Sequence, residues 1–459
     1  MAKPRQFAGR KNLAIHTRVA TELGMPDWNR GSVAVLGVPF DNLTMREAMD
    51  VIEEQIEERG FHQVATANVD FVINALRDRS LQEMLCSCDL VVPDGMPIVW
   101  ASRLMGAKLK ERVAGVDLIP RLAELASRRS YGIYLLGASE RSSRRAAEAL
   151  KSLFPELRIV GRYSPPLKSL EEMDHEAILS RIEEAEPDVL LVAMGHPKQE
   201  KWLAMHRHRL KVPLCMGVGA SLDFLAGEVS RAPLWMQSAG LEWLYRAAQE
   251  PRRLSQRYLT DAFGLARHLP GQVAASAIQP RRGGRAEVIT DRLQTASVVS
   301  IIGSLTGALI SEFERQLERA YQEDRHIVLY LAKTAYFGPD SLGFLVRLAK
   351  KMRSRNRQLW LTGAPPHVMR VFRAARMNRY FRNTSTVSDA IYRVRKLETH
   401  SAPEAIPRGT FSHSARDMQV QTELLKDFCR RVVFFSQTAR LGTARLGAAR
   451  PLHSNAAIR

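Results

Sequence analysis

The chain has 459 residues, of which 45 % are hydrophobic and 25 % charged, so its length favours two domains and its composition excludes a largely disordered protein. The 67 Lys and Arg residues outnumber 48 Asp and Glu residues, which gives a formal net charge of +19 and suggests an anionic partner such as nucleic acid, anionic lipid or a phosphorylated substrate. Four cysteines in so long a chain exclude a disulfide-stabilised scaffold.

Strands and helices are predicted to alternate over the first half of the chain. The predicted strands span 33–39, 64–68, 90–93, 131–136, 158–163, 188–194 and 213–218. The predicted helices span 44–58, 71–86, 116–127, 141–153, 171–184 and 199–208, with a further helix ending at 105. This alternation predicts an α/β fold with a Rossmann-like parallel sheet and helices on both faces. In such sheets ligands bind beyond the carboxyl ends of the strands.

A second, smaller α/β domain is predicted after a Pro- and Gly-containing linker. Its strands are expected at 298–302, 327–331 and 358–362, and its helices at 307–322, 341–353 and 366–375. The predicted organisation is a basic extension (1–30), a core (31–230), a basic aromatic appendage (231–267), the linker (268–285), the second domain (286–398) and a disordered basic tail (399–459).

Most of the positive charge lies in three segments. Residues 1–30 carry six basic and two acidic residues, 231–285 nine and three, and 399–459 nine and four. The nearly balanced remainder argues against a dedicated nucleic-acid domain. The N-terminus lacks the apolar core of a signal peptide, and no apolar run approaches a membrane span. We therefore expect a cytoplasmic protein that touches the inner face of the membrane.

Several residues at or directly after the ends of predicted strands are candidates for a site. They are expected to share one rim of the sheet and comprise Thr66 to Asn68, Asp94, Gly137, Ala138 and Gly195 to Glu200. Asp94 suits a general base, although the local sequence favours a turn or helix-cap aspartate. Gly195 to Glu200 opens a helix and, with Lys198, suits either a phosphate cradle or an ordinary turn. The glycine turns at Gly137 and 217–220 lack the full dinucleotide-binding pattern, so structural turns are the default.

Two further groups have less specific sequence signals. The segment from Arg231 to Tyr258 interleaves aromatic residues with arginines, which suits a membrane interface, a bound diphosphate or simply a domain-packing helix. His196, His206 and His208 lack carboxylates or cysteines at metal-ligand spacing, so solvated histidines are favoured and no metal site is predicted.

Taken in order, these segments resemble the WecG/TagA/CpsF glycosyltransferases (glycosyltransferase family 26) over roughly residues 33–260. The matching stretches are Thr66-Ala67-Asn68-Val69-Asp70, Val92-Pro93-Asp94-Gly95-Met96-Pro97, 111–117, Leu136-Gly137, 195–200, 217–219, 231–233, 241–243 and 250–253.

The resemblance implies inverting, metal-independent transfer of a sugar, without a cofactor, from a nucleotide-diphosphate donor to a polyprenyl-diphosphate-linked sugar. The donor sugar would be N-acetylmannosamine, its uronic acid or glucose, used for exopolysaccharide, capsule or cell-wall precursors. Asp94 matches the proposed catalytic base of the family. The substrate-binding matches are Thr66, Asn68, Arg112, Gly137, Gly195, Lys198, Gln199, Arg246, Arg253 and Arg257.

The second domain resembles a STAS domain, the fold of anti-sigma-factor antagonists. The resemblance rests on 298–303, 327–331, 337–343 and 359–363. At the usual phosphorylatable serine the chain has Asp340, or Ser341 if a gap is allowed, so phosphorylation is doubtful. The domain is expected to bind an unidentified protein partner. An alternative function is a non-catalytic regulator that binds nucleotide sugars, whereas nucleic acid is not an expected partner.

Overall fold

The structure, a computed structural model, describes residues 31–279, 287–293, 295–305, 310, 313, 316–317 and 320–401. At 234, 238, 252, 253 and 398–401 only the backbone is described. The predicted basic extension, the tail beyond 401 and most of the predicted helix 307–322 lie outside the described residues.

The first domain is built on a six-stranded sheet in the order β4-β3-β8-β7-β5-β6, in which every neighbouring pair is parallel. Its strands are β3 (His62–Ala67), β4 (Leu90–Pro93), β5 (Gly132–Gly137), β6 (Arg158–Tyr163), β7 (Val189–Ala193) and β8 (Leu214–Gly217). Successive residues of a strand pack on opposite faces, as Leu190 and Leu191 do. The predicted Rossmann-like fold is therefore confirmed.

Helices cover both faces of this sheet. They are α1 (Met45–Glu57), α2 (Val69–Arg77), α3 (Arg79–Ser87), α4 (Met96–Leu104), α5 (Gly115–Arg129), α6 (Glu140–Leu153), α7 (His175–Ala185), α8 (Lys198–His206) and α9 (Ser221–Leu225). The predicted helix 71–86 is two helices, because Asp78 has an extended backbone and its carboxylate caps α3 by accepting from the amides of Ser80 and Leu81.

The first predicted strand does not join the parallel sheet. Residues 33–39 form most of an antiparallel hairpin of β1 (Ser32–Val35) and β2 (Val38–Asp41), which turns at Leu36 and Gly37, both with positive φ. Asp41 accepts a hydrogen bond from the amide of Val91 at 2.8 Å, which places the hairpin beside β4. The prediction of a sheet strand here was wrong because the turn interrupts an otherwise apolar run.

The second domain has a mixed sheet, unlike the all-parallel sheet of the first, together with helices. Its strands are β9 (Glu287–Arg292), β10 (Ala296–Leu305), β11 (His326–Tyr330), β12 (Thr334–Phe337), β13 (Leu359–Thr362) and β14 (Arg382–Thr384). The order is β12-β10-β11-β13-β14, with β9 paired antiparallel to β10. Its helices include α13 (Pro339–Ser354), α14 (Pro366–Ala374) and α15 (Val387–Ser401). Helix α15 thus extends into the first residues of the predicted tail.

Three helices follow the first domain: α10 (Leu234–Ser238), α11 (Glu242–Gln249) and α12 (Pro251–Ala277). Helix α12 runs through Pro270 and Gly271, so the predicted linker 268–285 is helical as far as Ala277. The Pro-Gly pair, which indicated a linker, lies on an exposed side of the helix, where it is tolerated. The remaining domain boundaries stay predictions.

Two buried glutamines tie α12 and its end to both domains. Gln272 donates to the carbonyl of Ala34 at 2.8 Å and accepts from the amide of Leu36 at 2.7 Å. Gln279 donates to the carbonyl of Phe337 at 2.8 Å and accepts from the amide of Phe337 at 2.7 Å. Each side chain satisfies a backbone N–H and a backbone C=O that would otherwise be buried without partners. Helix α12 and the residues just after it are therefore anchored to the hairpin and to β12.

Helix α13 packs directly on the hairpin. A Cβ atom at Gly343 would lie 2.6 Å from the carbonyl carbon of Ser32. We expect Gly343→Val to lower the free energy of unfolding by about 1–3 kcal/mol through overpacking. Urea denaturation checks this, with Gly271→Ala as the control, because a Cβ atom at Gly271 meets nothing within 4 Å. Equal midpoints for Gly343→Val and wild type would contradict this packing.

Candidate functional site

Asp94 lies directly after β4, at the carboxyl end of the parallel sheet. Its amide donates to the carbonyl of Ala67 at 2.9 Å, so the ends of β3 and β4 meet there. The amide of Val113 donates to the carbonyl of Pro93 at 3.0 Å and brings the 106–114 loop alongside. The strand ending thus places a carboxylate at the rim where ligands of such sheets bind.

The surroundings of Asp94 change its acidity. Burial raises the pKa of Asp94 to about 6, while Arg112, the Gly115 amide and Arg246 act to lower this pKa and Glu242 acts to raise it. A carboxylate with a pKa near 6 is still mostly ionised at neutral pH and is a stronger base than an ordinary aspartate. The site therefore holds a carboxylate suited to accept a proton.

Thr66 and Asn68 flank Asp94 at the end of β3. The Thr66 hydroxyl donates to the carbonyl of Gly217 at 3.4 Å, and a Cβ atom at Gly115 would lie 3.2 Å from Thr66 Oγ1. Asn68 caps α2 by accepting from the amide of Asp70, and a Cβ atom at Gly95 would lie 4.0 Å from the Asn68 Cβ. Thr66, Asn68 and Asp94 are thus neighbours, as their positions at the ends of adjacent strands predict.

Gln199 reaches the same rim from the start of α8. Its side chain is 2 % exposed, accepts from the amide of Gly219 at 3.1 Å and donates to Glu200 at 2.6 Å. A Cβ atom at Gly217 would lie 2.6 Å from Gln199 Nε2, so a side chain there would displace the amide group. Gln199 and Thr66 therefore contact the backbone of one strand end.

The other residues of the 195–200 turn have structural contacts. His196 stacks on Phe71 with ring centroids 3.6 Å apart, and its Nδ1 lies 3.0 Å from Glu200. The Lys198 ammonium donates to the carbonyl of Lys168. Gly195 has a φ of 82°, with open space where a Cβ atom would lie. His196 is thus packed into the core, and His206 is buried as well, which corrects the expectation of solvated histidines for both; His208 is exposed as expected.

Gly137 ends β5 with a φ of 95°. A Cβ atom there would lie 2.6 Å from the carbonyl oxygen of Ala193, so only glycine lets the ends of β5 and β7 approach this closely. Its carbonyl accepts from the Ser164 hydroxyl at 3.3 Å. The structure thus gives Gly137 a packing role at the rim.

The appendage brings its arginines to the rim at two points. Arg246, on α11, lies with its guanidinium carbon 5.0 Å from the centre of the Phe224 ring, and its buried Nε has no hydrogen-bond partner among the described residues. Arg257, on α12, lies 3.9 Å from Asp70, in the first turn of the helix that Asn68 caps. The side chain of Arg253 lies outside the described residues.

An ion-pair network that the sequence did not predict joins the appendage to the core. Arg112 lies 2.8 Å from Glu242 and 3.3 Å from Asp117. Arg231 lies 2.6 Å from Asp117 and 3.7 Å from Glu242, which closes a ring of two arginines and two carboxylates. All four residues fall in motifs quoted above, but their pairing depends on the fold. The ring holds Arg112 beside Asp94.

The described part of the chain contains no cluster of three or more His, Cys, Asp or Glu side chains with metal-site geometry. Among the same residues, no helix is both long and apolar enough to span a bilayer.

Comparison with known proteins decides the family. The model described as "Glycosyl transferase WecG/TagA/CpsF family" matches residues 33–277. The chain belongs to the WecG/TagA/CpsF glycosyltransferase family. A protein of Bacillus subtilis (strain 168), named N-acetylglucosaminyldiphosphoundecaprenol N-acetyl-beta-D-mannosaminyltransferase, is 31 % identical to this transferase over 47 % of the chain and 83 % of that relative. A protein of the same name from Staphylococcus aureus (strain MRSA252) is 30 % identical over 50 % of the chain and 89 % of its own length.

The second domain of the transferase matches the STAS domain model over residues 287–390. Solved structures similar to it include the anti-sigma factor antagonist SpoIIAA in its unphosphorylated form, at 15 % identity and a TM-score of 0.22 over 24 % of this chain and 97 % of that one. A putative anti-sigma factor antagonist from Thermotoga maritima is 19 % identical, with a TM-score of 0.22 over 24 % of this chain and 94 % of that one. The match to the domain model confirms the predicted STAS-like domain of the transferase.

Proposed function

We propose that this transferase moves N-acetylmannosamine from a nucleotide-diphosphate donor to a polyprenyl-diphosphate-linked N-acetylglucosamine, with inversion at the anomeric carbon. The observation that carries the proposal is Asp94, a carboxylate of raised pKa beside Thr66, Asn68 and Arg112 at the rim of the sheet. The names of the two relatives support this sugar and this acceptor.

In the proposed reaction, Asp94 removes the proton from the acceptor hydroxyl as the hydroxyl oxygen attacks the anomeric carbon. The new carbon–oxygen bond forms on the face opposite the leaving group. The old bond to the diphosphate oxygen breaks, and its electron pair leaves with the nucleotide diphosphate. A pKa of about 6 suits this role, since the carboxylate is ionised at neutral pH yet basic enough to accept a proton in the transition state.

The negative charge that develops on the leaving diphosphate needs positioned donors. We assign this role to Arg246, whose buried Nε has no hydrogen-bond partner among the described residues, together with Arg253 and Arg257 of α12. Because these arginines would neutralise the charge on the leaving diphosphate, we also propose that the transfer needs no metal ion. Thr66, Asn68, Arg112 and Gln199 would hold the sugars, and the glycines Gly137 and Gly195 with Lys198 would line the remaining rim.

The acceptor is a lipid, so the reaction would take place at the inner face of the cytoplasmic membrane. Trp235 is 64 % exposed and Trp243 41 % exposed, and both lie on appendage helices near Arg246 in sequence. Aromatic side chains beside arginines suit the membrane interface. We therefore propose peripheral attachment through the appendage.

A donor panel tests the proposed reaction. The purified full chain is incubated with a lipid-linked N-acetylglucosamine acceptor and radiolabelled UDP-sugars, including N-acetylmannosamine, its uronic acid and glucose. We expect transfer of N-acetylmannosamine to exceed that of the other sugars by at least tenfold. Transfer of another sugar would correct the donor alone. Donor binding without any turnover would overturn the proposal in favour of a regulator that senses nucleotide sugars.

A further inference from the structure

A cavity of about 420 Å³ lies where three parts of the molecule meet. Helix α2 of the core contributes Arg77, helix α12 contributes Arg267 and His268, and the segment after α14 contributes Arg376. A second cavity of about 330 Å³ shares Arg77 and Arg376 and adds Arg79, Arg379 and one carboxylate, Glu83. The junction between the transferase core and the STAS-like domain is therefore lined by cations.

The three arginines of the first cavity, Arg77, Arg267 and Arg376, differ from other cations near the same junction because their side chains have no ion-pair partner among the described residues. Lys201 pairs with Asp78 at 2.7 Å, and Arg79 pairs with Glu83 at 2.8 Å. In contrast, the side chains of Arg77, Arg267 and Arg376 form no ion pair or hydrogen bond within the part of the chain that the structure describes. Asp261 interacts with Arg77 electrostatically, but no acidic side chain forms an ion pair with any of the three arginines among the described residues. Guanidinium groups that line one cavity in this way repel one another, and an anion between them would relieve that repulsion.

The electrostatics of His268 support this geometry. Burial lowers the pKa of His268, and Arg376, Arg267 and Arg77 lower this pKa further. All three arginines are therefore close enough to act on one ring. The imidazole would be neutral near pH 7, which leaves it able to donate one hydrogen bond to an anion and accept another.

The cavity is separate from the catalytic rim. Helices α2 and α12 pack side by side, with Arg257 beside Asp70 near their starts and a Cβ position at Gly264 only 2.7 Å from Ile73 farther along. Asn68 caps the start of α2, whereas Arg77 ends it. At 1.5 Å per residue, the two ends of α2 are on the order of 12 Å apart.

We propose that this interdomain cavity binds a phosphate-bearing anion that bridges the transferase core, α12 and the STAS-like domain. Guanidinium groups bind phosphate oxygens through paired N–H donors, which fits a cavity formed by arginines from three segments. The lining also includes the apolar residues Ile73, Leu76 and Phe263, and Phe263 is 70 % exposed. The phosphate group that the arginines would bind can belong either to a free phosphate compound or to a phospholipid headgroup. This site does not depend on the reaction proposed above.

The test compares two double variants of the full chain. Arg77→Gln/Arg376→Gln removes two exposed charges that line the cavity, whereas Arg144→Gln/Arg373→Gln removes two exposed charges that do not line it. One arm titrates inorganic pyrophosphate by calorimetry at constant ionic strength. The other measures sedimentation with phosphatidylcholine vesicles that contain, or lack, phosphatidylglycerol.

We expect the wild type and the control variant to bind pyrophosphate, phosphatidylglycerol vesicles or both. The cavity variant should bind the same ligand at least tenfold more weakly. Binding of pyrophosphate assigns a soluble ligand, and a loss confined to the phosphatidylglycerol-dependent part of vesicle binding assigns a lipid headgroup. Unchanged affinity of the cavity variant in both arms, or no binding by the wild type in either, overturns the proposal. If the double variant does not fold, Arg267→Gln alone gives the same comparison, with an affinity expected to fall by at least threefold.

Discussion

Asp94→Asn is expected to lower kcat for sugar transfer by about 10²–10⁴-fold, because asparagine cannot accept the proton of the acceptor hydroxyl. The amide is nearly isosteric with the carboxylate, so the KM values for both substrates should change much less. Steady-state kinetics with a lipid-linked acceptor check both parameters. Full activity of the variant would exclude Asp94 as the base.

The same assignment predicts a pH dependence. Burial raises the pKa of Asp94 to about 6, so the rate of the wild type should rise with pH through an apparent pKa near 6 and level off above it. The residual activity of Asp94→Asn should lack this rise. Asp50→Asn is the control, because burial also raises the pKa of Asp50 but this residue lies on α1, away from Asp94. A control that lost the same pH dependence would contradict the assignment.

Arg246→Ala is expected to lower kcat by about 10²–10³-fold, the usual loss when one donor to developing negative charge is removed. Arg246 acts electrostatically on Asp94 and stacks on Phe224, so its guanidinium lies near both the base and the rim. Arg246→Lys should recover part of the loss, since lysine restores the charge but not the forked donor geometry. Rates measured under saturating donor separate this effect from weaker binding.

Gln249→Ala is the matched control for Arg246. Gln249 lies one turn along the same helix and donates to the carbonyl of Ser230 at 3.2 Å. Its removal tests whether disturbing α11 in general is enough to reduce the rate. Similar losses in Gln249→Ala and Arg246→Ala would assign the effect to the position of the helix and not to the arginine charge.

Much of the site was predictable because it depends on local patterns. Apolar runs with helices between them specify parallel strands, and the residues that directly follow those strands must share one edge of the sheet. Thr66, Asn68 and Asp94 were identified in this way, and the structure places them together. The ordered motifs then indicated the family that the comparisons confirm.

Features that depend on breaks in a pattern were predicted less well. The hairpin at 32–41 and the division of one helix at Asp78 each depend on one or two residues with special backbone conformations. The continuation of α12 through Pro270 contradicts the usual meaning of a Pro-Gly pair, because contacts along the rest of the helix outweigh its low helix propensity.

The sequence by itself determined the two α/β domains, the family and the carboxylate at the end of β4, because these follow from periodicity and from residues adjacent along the chain. Only the tertiary structure decided that Arg112, Asp117, Arg231 and Glu242 form one ion-pair ring. It also decided that arginines from three segments line one cavity. Charges attract or repel through space, so residues as far apart in sequence as Arg77 and Arg376 interact only when packing brings their elements together.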